Sequence, residues 1–70
     1  MPIQKQYLVG LVGDGTMRSL VAHSIRGAAK LFVARYGVPV GVEFRGKARG
    51  EGSWEYFSRT SNGIRSLGVE

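Results

Sequence analysis

The chain has 70 residues, no Cys, one His, and ten Lys or Arg against five Asp or Glu, giving a formal net charge of +5. It is long enough for one domain, 1–70, but a domain of this size buries only about 60% of its unfolded surface; without Cys, and with one His, neither disulfides nor a metal site can supplement the core, and no cofactor is expected. Apolar runs fall short of the roughly 18 residues a membrane span needs, and the N-terminal run has no small-residue cleavage site, so a cytoplasmic location without membrane attachment is expected.

Residues 3–13 read IQKQYLVGLVG. Tyr7, Val9 and Leu11 share one face of a strand; Leu8 and Val12 share the other. The second half is apolar on both faces, which predicts a strand covered on both sides. One helix covers one side. The other cover must come from elsewhere in the chain or from a second copy, so a homo-oligomer, dimer or larger, is expected.

Asp14-Gly15-Thr16 breaks the strand and offers a cap for a following helix. A Gly-Asp-Gly step in this place also suits a phosphate-binding turn, but the chain has neither GxGxxG nor GK[ST]. The spacing predicts one helix from about Met17 to Tyr36. Met17, Leu20, Val21, Ser24, Ile25, Ala28, Ala29, Leu31, Phe32 and Tyr36 make its apolar arc, and Ser19, His23, Arg26 and Lys30 the opposite one. Gly27 costs such a helix about 1 kcal/mol relative to Ala, which points to a packing reason for it. Arg35 suits the C-terminal dipole, and Gly37 followed by Pro39 suits the stop.

A second strand is expected over Val38–Arg45, with Val40, Val42 and Phe44 inward and Glu43 and Arg45 outward. Gly46 to Gly52 reads as a charged turn. Ser53 to Thr60 is the third strand, with Trp54 and Tyr56 on one face and Glu55, Phe57 and Arg59 on the other. Asn62-Gly63 is a tight-hairpin signal, and residues 64–69 fit a short terminal strand. The expected fold is α+β: a small β-α-β-β domain with a further terminal β, one long amphipathic helix packed on one face of a mainly antiparallel sheet.

Seven of the ten cations are Arg, which suits bidentate contacts with phosphate or carboxylate. An excess of this size fits a polyanion partner, DNA or RNA, and fits ordinary solubility as well. The first candidate site is the hairpin after the helix. There Arg45, Lys47, Arg49 and Arg59 would neutralise phosphates, with Trp54, Tyr56 and Phe57 interleaved, and an exposed aromatic, Trp54 first, would stack on a base. Against this stand the use of aromatics as core and the nearby Glu43, Glu51 and Glu55. The second candidate is the helix's polar face, with Arg18, His23, Arg26 and Lys30; charge runs on helices also mean plain exposure. His23 has no evident nucleophile or orienting partner for catalysis.

Met1-Pro2-Ile3, a strand, a long helix, a second strand and a terminal hairpin together resemble the layout of the small tautomerases. Those subunits form oligomers and use an N-terminal proline amine as base. The resemblance covers layout only. It implies Pro2 as base after loss of Met1, with Arg45 as a carboxylate-binding group.

The reading that follows is a small basic binding module, nucleic-acid-binding or regulatory, that docks through Arg45, Lys47, Arg49, Arg59 and Trp54, with Arg26 and Lys30 as a second cluster. The alternative is a protein-binding accessory or inhibitor that uses an apolar sheet face and takes an acidic partner. A tautomerase-like enzyme is third.

Overall fold

A computed structural model describes residues 4–69. It contains β1 (Lys5–Leu11), β2 (Arg18–Ala22), α1 (Ile25–Tyr36), β3 (Glu43–Ala48), β4 (Glu55–Thr60) and β5 (Gly63–Val69). The strands form one antiparallel sheet in the order β2-β1-β3-β4-β5, with α1 packed across one face. The expected class, α+β with one helix on an antiparallel sheet, is what the chain adopts.

The helix is shorter than the spacing predicts. Residues Arg18–Ala22 are not helical; they pair with β1, with Tyr7 opposite Leu20 and Lys5 opposite Ala22. Met17, Leu20, Val21 and Ser24 fit a helical arc, but Leu20 and Ala22 also alternate with Ser19 and Val21. The alternation wins because it sends Leu20 and Ala22 into the core while pairing with β1 satisfies the backbone. Asp14 and Gly15 therefore belong to a hairpin connection. Asp14 Oδ1 accepts a 3.0 Å hydrogen bond from the Thr16 amide, and no helix follows for a phosphate turn to use.

The helix begins where its cap is. Ser24 has extended backbone, and its Oγ accepts from the Gly27 amide at 3.1 Å, a cap worth about 1 kcal/mol. The far end closes on Gly37, whose left-handed φ of 68° lets its amide reach the Val33 carbonyl. Ala28, Ala29 and Phe32 are buried, with Ile25 and Val33 against them. The small pair brings the helix close to the sheet. Gly46 of β3 lies where contact is tightest: a Cβ there would stand 3.0 Å from Ile25 Cδ1 and 3.1 Å from Val9 Cγ2.

Phe32, Phe44 and Phe57 form an aromatic column from helix to sheet, with centroids 5.6 Å apart at each step. Phe44 and Phe57 are register partners and have no exposed surface. Each contributes roughly 2–3 kcal/mol of burial. Val9 and Leu20 complete the fully buried set. Val38 and Val42 join this core, but Val40, expected inward, is 63% exposed because it lies in the turn before β3.

The expected tight hairpin between β4 and β5 forms, but it closes over Ser61-Asn62, one residue before an Asn-Gly turn would, with Gly63 paired to Thr60. Further along, Tyr56 pairs with Gly68 and Phe57 with Ser66, so Leu67 is an extra residue that makes a bulge on the edge strand.

Candidate functional site

In a strand, alternate residues belong to opposite faces. Because Tyr7, Val9, Phe44 and Phe57 face α1, their neighbours define the face that α1 leaves open. Leu8 lies beside Ser19 and Lys47; Gly10 lies beside Arg45, and Arg45 beside Tyr56; Glu43 lies beside Ser58, and Ser58 beside Arg65. Arg45 and Lys47 are thus two residues apart on one strand, at the centre of this face, and Tyr56 is next to Arg45.

Trp54 lies just before β4 and is half-buried. The Arg45 guanidinium carbon stands 4.3 Å from its ring centroid and the Lys47 ammonium nitrogen 4.8 Å. Contacts of this kind are worth about 0.5–1 kcal/mol each at exposed sites. That is enough to orient two flexible cations and little enough for them to exchange for a phosphate. Arg45 Nε is buried and has no hydrogen-bond partner among the described residues. The indole, rather than an acid, holds this guanidinium, which keeps its charge uncompensated.

The three sequence-expected residues brought together are Arg45, Lys47 and Trp54. Arg49 stands just past the end of β3, and its Nη1 donates to Gln6 Oε1 at 2.7 Å, which keeps it beside the first strand of the same sheet. Arg59 points the other way. Its guanidinium donates to the Thr60 carbonyl and, at 3.1 Å, to the Gly63 carbonyl, holding the β4–β5 turn on the helix side. Arg26 and Lys30 belong to α1, across the sheet from Trp54; Arg26 reaches the Ile64 carbonyl at 3.5 Å. Arg18 is in β2, and its guanidinium carbon lies 4.9 Å from the Tyr36 ring centroid, tying that edge to the end of the helix.

Two more residues share the open face, and only Arg65 is absent from the expected hairpin site. Tyr56 appears among the aromatics of the sequence, but only the register sets it against Arg45. Arg65 is exposed on β5, and alternation from the buried Ile64 is the signal that places it. The acids divide as well. Glu55 pairs with Gly46 on the helix side and accepts from Ser66 Oγ at 3.5 Å. Glu51 lines a cleft under the start of α1. Among the described residues Glu43 is the one acid on the open face, at the opposite end of β3 from Lys47.

That cleft has a volume of about 420 Å³. Lys5 and Lys47 line it, with His23, and so do Glu51 and Glu55, so its charges offset one another. Among the described residues no group of three or more His, Cys, Asp or Glu could hold a metal ion, and no helix is long and apolar enough to cross a membrane. Pro2, the base implied by the tautomerase layout, lies outside the described residues. The layout itself differs, since a second strand separates the first from the helix.

No protein-family model matches the chain, nor does any curated protein or solved structure.

Proposed function

We propose that this protein is a nucleic-acid-binding module that docks through the open face of its sheet. The observation that carries the reading is the cluster of Trp54, Arg45 and Lys47, with Tyr56 beside it. It combines the two things such binding needs: cations that neutralise phosphate and π-faces on which bases stack. Arg49 and Arg65 extend the charge to either side. The net charge of +5 supplies a long-range attraction to any polyanion.

The test is fluorescence anisotropy with labelled oligonucleotides, single-stranded and duplex, over about 50–200 mM salt. The native chain is expected to bind at low salt and to weaken steeply as salt rises. Removing both cations, Arg45→Ala with Lys47→Ala, should flatten the log–log salt slope by about 1.4–1.8, the loss of two phosphate contacts. Failure to bind any nucleic acid at low salt would overturn the reading.

A protein partner is the second reading. Exposed Val21 on one edge strand and Leu67 and Val69 on the other favour it. A second copy of the chain is one such partner, and edge strands offer unpaired backbone groups for it. Sedimentation at micromolar concentration tests self-association: a clean monomer removes that form of the reading.

A further inference from the structure

We infer that the preferred ligand of the open face is an unpaired nucleic-acid strand, not a duplex. This rests on the nucleic-acid reading above and narrows it. The first reason is shape. The candidate cations and aromatics lie on the face of a five-stranded sheet, with Arg45 and Lys47 on its middle strand. Strands about 4.8 Å apart give such a sheet a width near 19 Å between its outer members, whereas a B-DNA major groove is about 12 Å wide and admits a helix or a two-stranded ribbon. Centred on β3, this surface meets a duplex at the phosphate backbone and leaves the base edges unread.

The second reason is chemical. Trp54 and Tyr56 are two residues apart on the same face, each half-buried and set into the surface rather than standing clear of it. Within a duplex the bases are stacked on one another, and their π-faces are closed to such side chains. In an unpaired strand those faces are free, and stacking on an aromatic is tolerant of base identity. The cations are placed to suit this. Arg45 and Lys47 lie over the indole, so a base that stacks on Trp54 takes their place on the ring and leaves both cations free to reach its flanking phosphates. Arg49 and Arg65, toward opposite ends of the face, give the strand a charged path in both directions.

The third reason is the limit on the other side of the face. Met17 lies over Gly10, where a Cβ would stand 2.6 Å from Met17 Sδ and from the Thr16 carbonyl. The chain itself thus covers the face at Gly10, on the β1 side of Arg45, while Ser19 and Val21 of β2 stay exposed.

Trp54 is the sole tryptophan, so its emission reports directly on this site in the native protein. The experiment titrates the full chain with a single-stranded oligonucleotide and with the duplex of the same sequence and length, following both tryptophan emission and anisotropy of a labelled strand. The expected result is binding at least about tenfold tighter to the single strand, with quenching of Trp54 by that strand only. Trp54→Ala should weaken single-strand binding about tenfold or more and leave duplex binding nearly unchanged, while Trp54→Phe, which keeps a π-face, should retain most of it. Circular dichroism checks that each variant is folded; if Trp54→Ala is not, the native quenching and Trp54→Phe decide. Equal or tighter duplex binding, or single-strand binding without quenching, overturns the inference but leaves the nucleic-acid reading standing. Binding to neither overturns both.

Discussion

Phe44 and Arg45 are consecutive residues of β3, yet they belong to surfaces of opposite character. Phe44 faces the helix, has no exposed surface and stacks between Phe32 and Phe57. Arg45 faces away, half-buried against Trp54. The same division runs along β4, where Phe57 enters the core and Tyr56 does not. A period of two is therefore enough to give one sheet a packing face and a face free for contact. The difference also explains why the aromatics of this chain serve two purposes. Those aligned with α1 build the core, and those one residue out of step stay accessible.

The sharpest way to break this comparison is to truncate an aromatic on each face. Phe44→Ala should cost about 3–5 kcal/mol, through lost burial and a cavity between Phe32 and Phe57. A 70-residue domain has roughly 4–10 kcal/mol in total, so urea denaturation should find that this variant has lost about a third or more of its stability. Tyr56→Ala, across the backbone from the core, should cost no more than about 1.5 kcal/mol. Equal losses would mean that the open face is a second core, as a face covered in an oligomer would be.

A smaller effect is expected where the helix meets the sheet. Gly46→Ala places a Cβ 3.0 Å from Ile25 Cδ1, 3.1 Å from Val9 Cγ2 and 3.3 Å from the Leu8 carbonyl. The first two neighbours can yield only by moving within a packed layer, and the third is backbone. A loss of about 1–3 kcal/mol in a denaturant titration follows. Its neighbour Arg45→Ala, on the open side, should cost no more than about 1 kcal/mol, the worth of its contact with Trp54.

Much of this division was legible in the sequence, and the parts that were not have physical reasons. Tyr7, Val9 and Leu11 against Leu8, and Trp54 and Tyr56 against Phe57, sort correctly by alternation alone. The stop at Gly37 and the turn into Gly63 follow from glycine's access to positive φ. The stretch from Met17 to Ser24 misleads because its apolar residues satisfy both periods over so short a length. The decisive signals there are Asp14-Gly15 between two apolar runs, which is a hairpin pattern, and Ser24 as a cap. The cluster at Trp54 was legible as composition but not as geometry. Arg45, Lys47, Arg49 and Arg59 look equivalent along the chain. Only the register of β3 with β4 turns Arg59 to the helix side while Arg45 and Lys47 meet the indole.

That separation of Arg59 from Arg45 gives a small effect on stability and the cleanest contrast between the faces. Arg59 donates to the carbonyls of Thr60 and Gly63 and so holds the β4–β5 turn from the covered side. Removing it leaves those carbonyls to water, which reaches this half-exposed turn, so Arg59→Ala should cost only about 1 kcal/mol. The loss should concentrate in β5, read as faster amide exchange at Gly63 and Ile64. Nucleic-acid affinity should fall by no more than the general effect of one lost charge, and the salt slope should stay unchanged. Arg45→Ala should do the reverse, flattening the salt slope by about 0.7–0.9 with stability nearly intact. If Arg59→Ala flattened the slope as much as Arg45→Ala, binding would depend on total charge alone, and the open face would lose its claim to be the site.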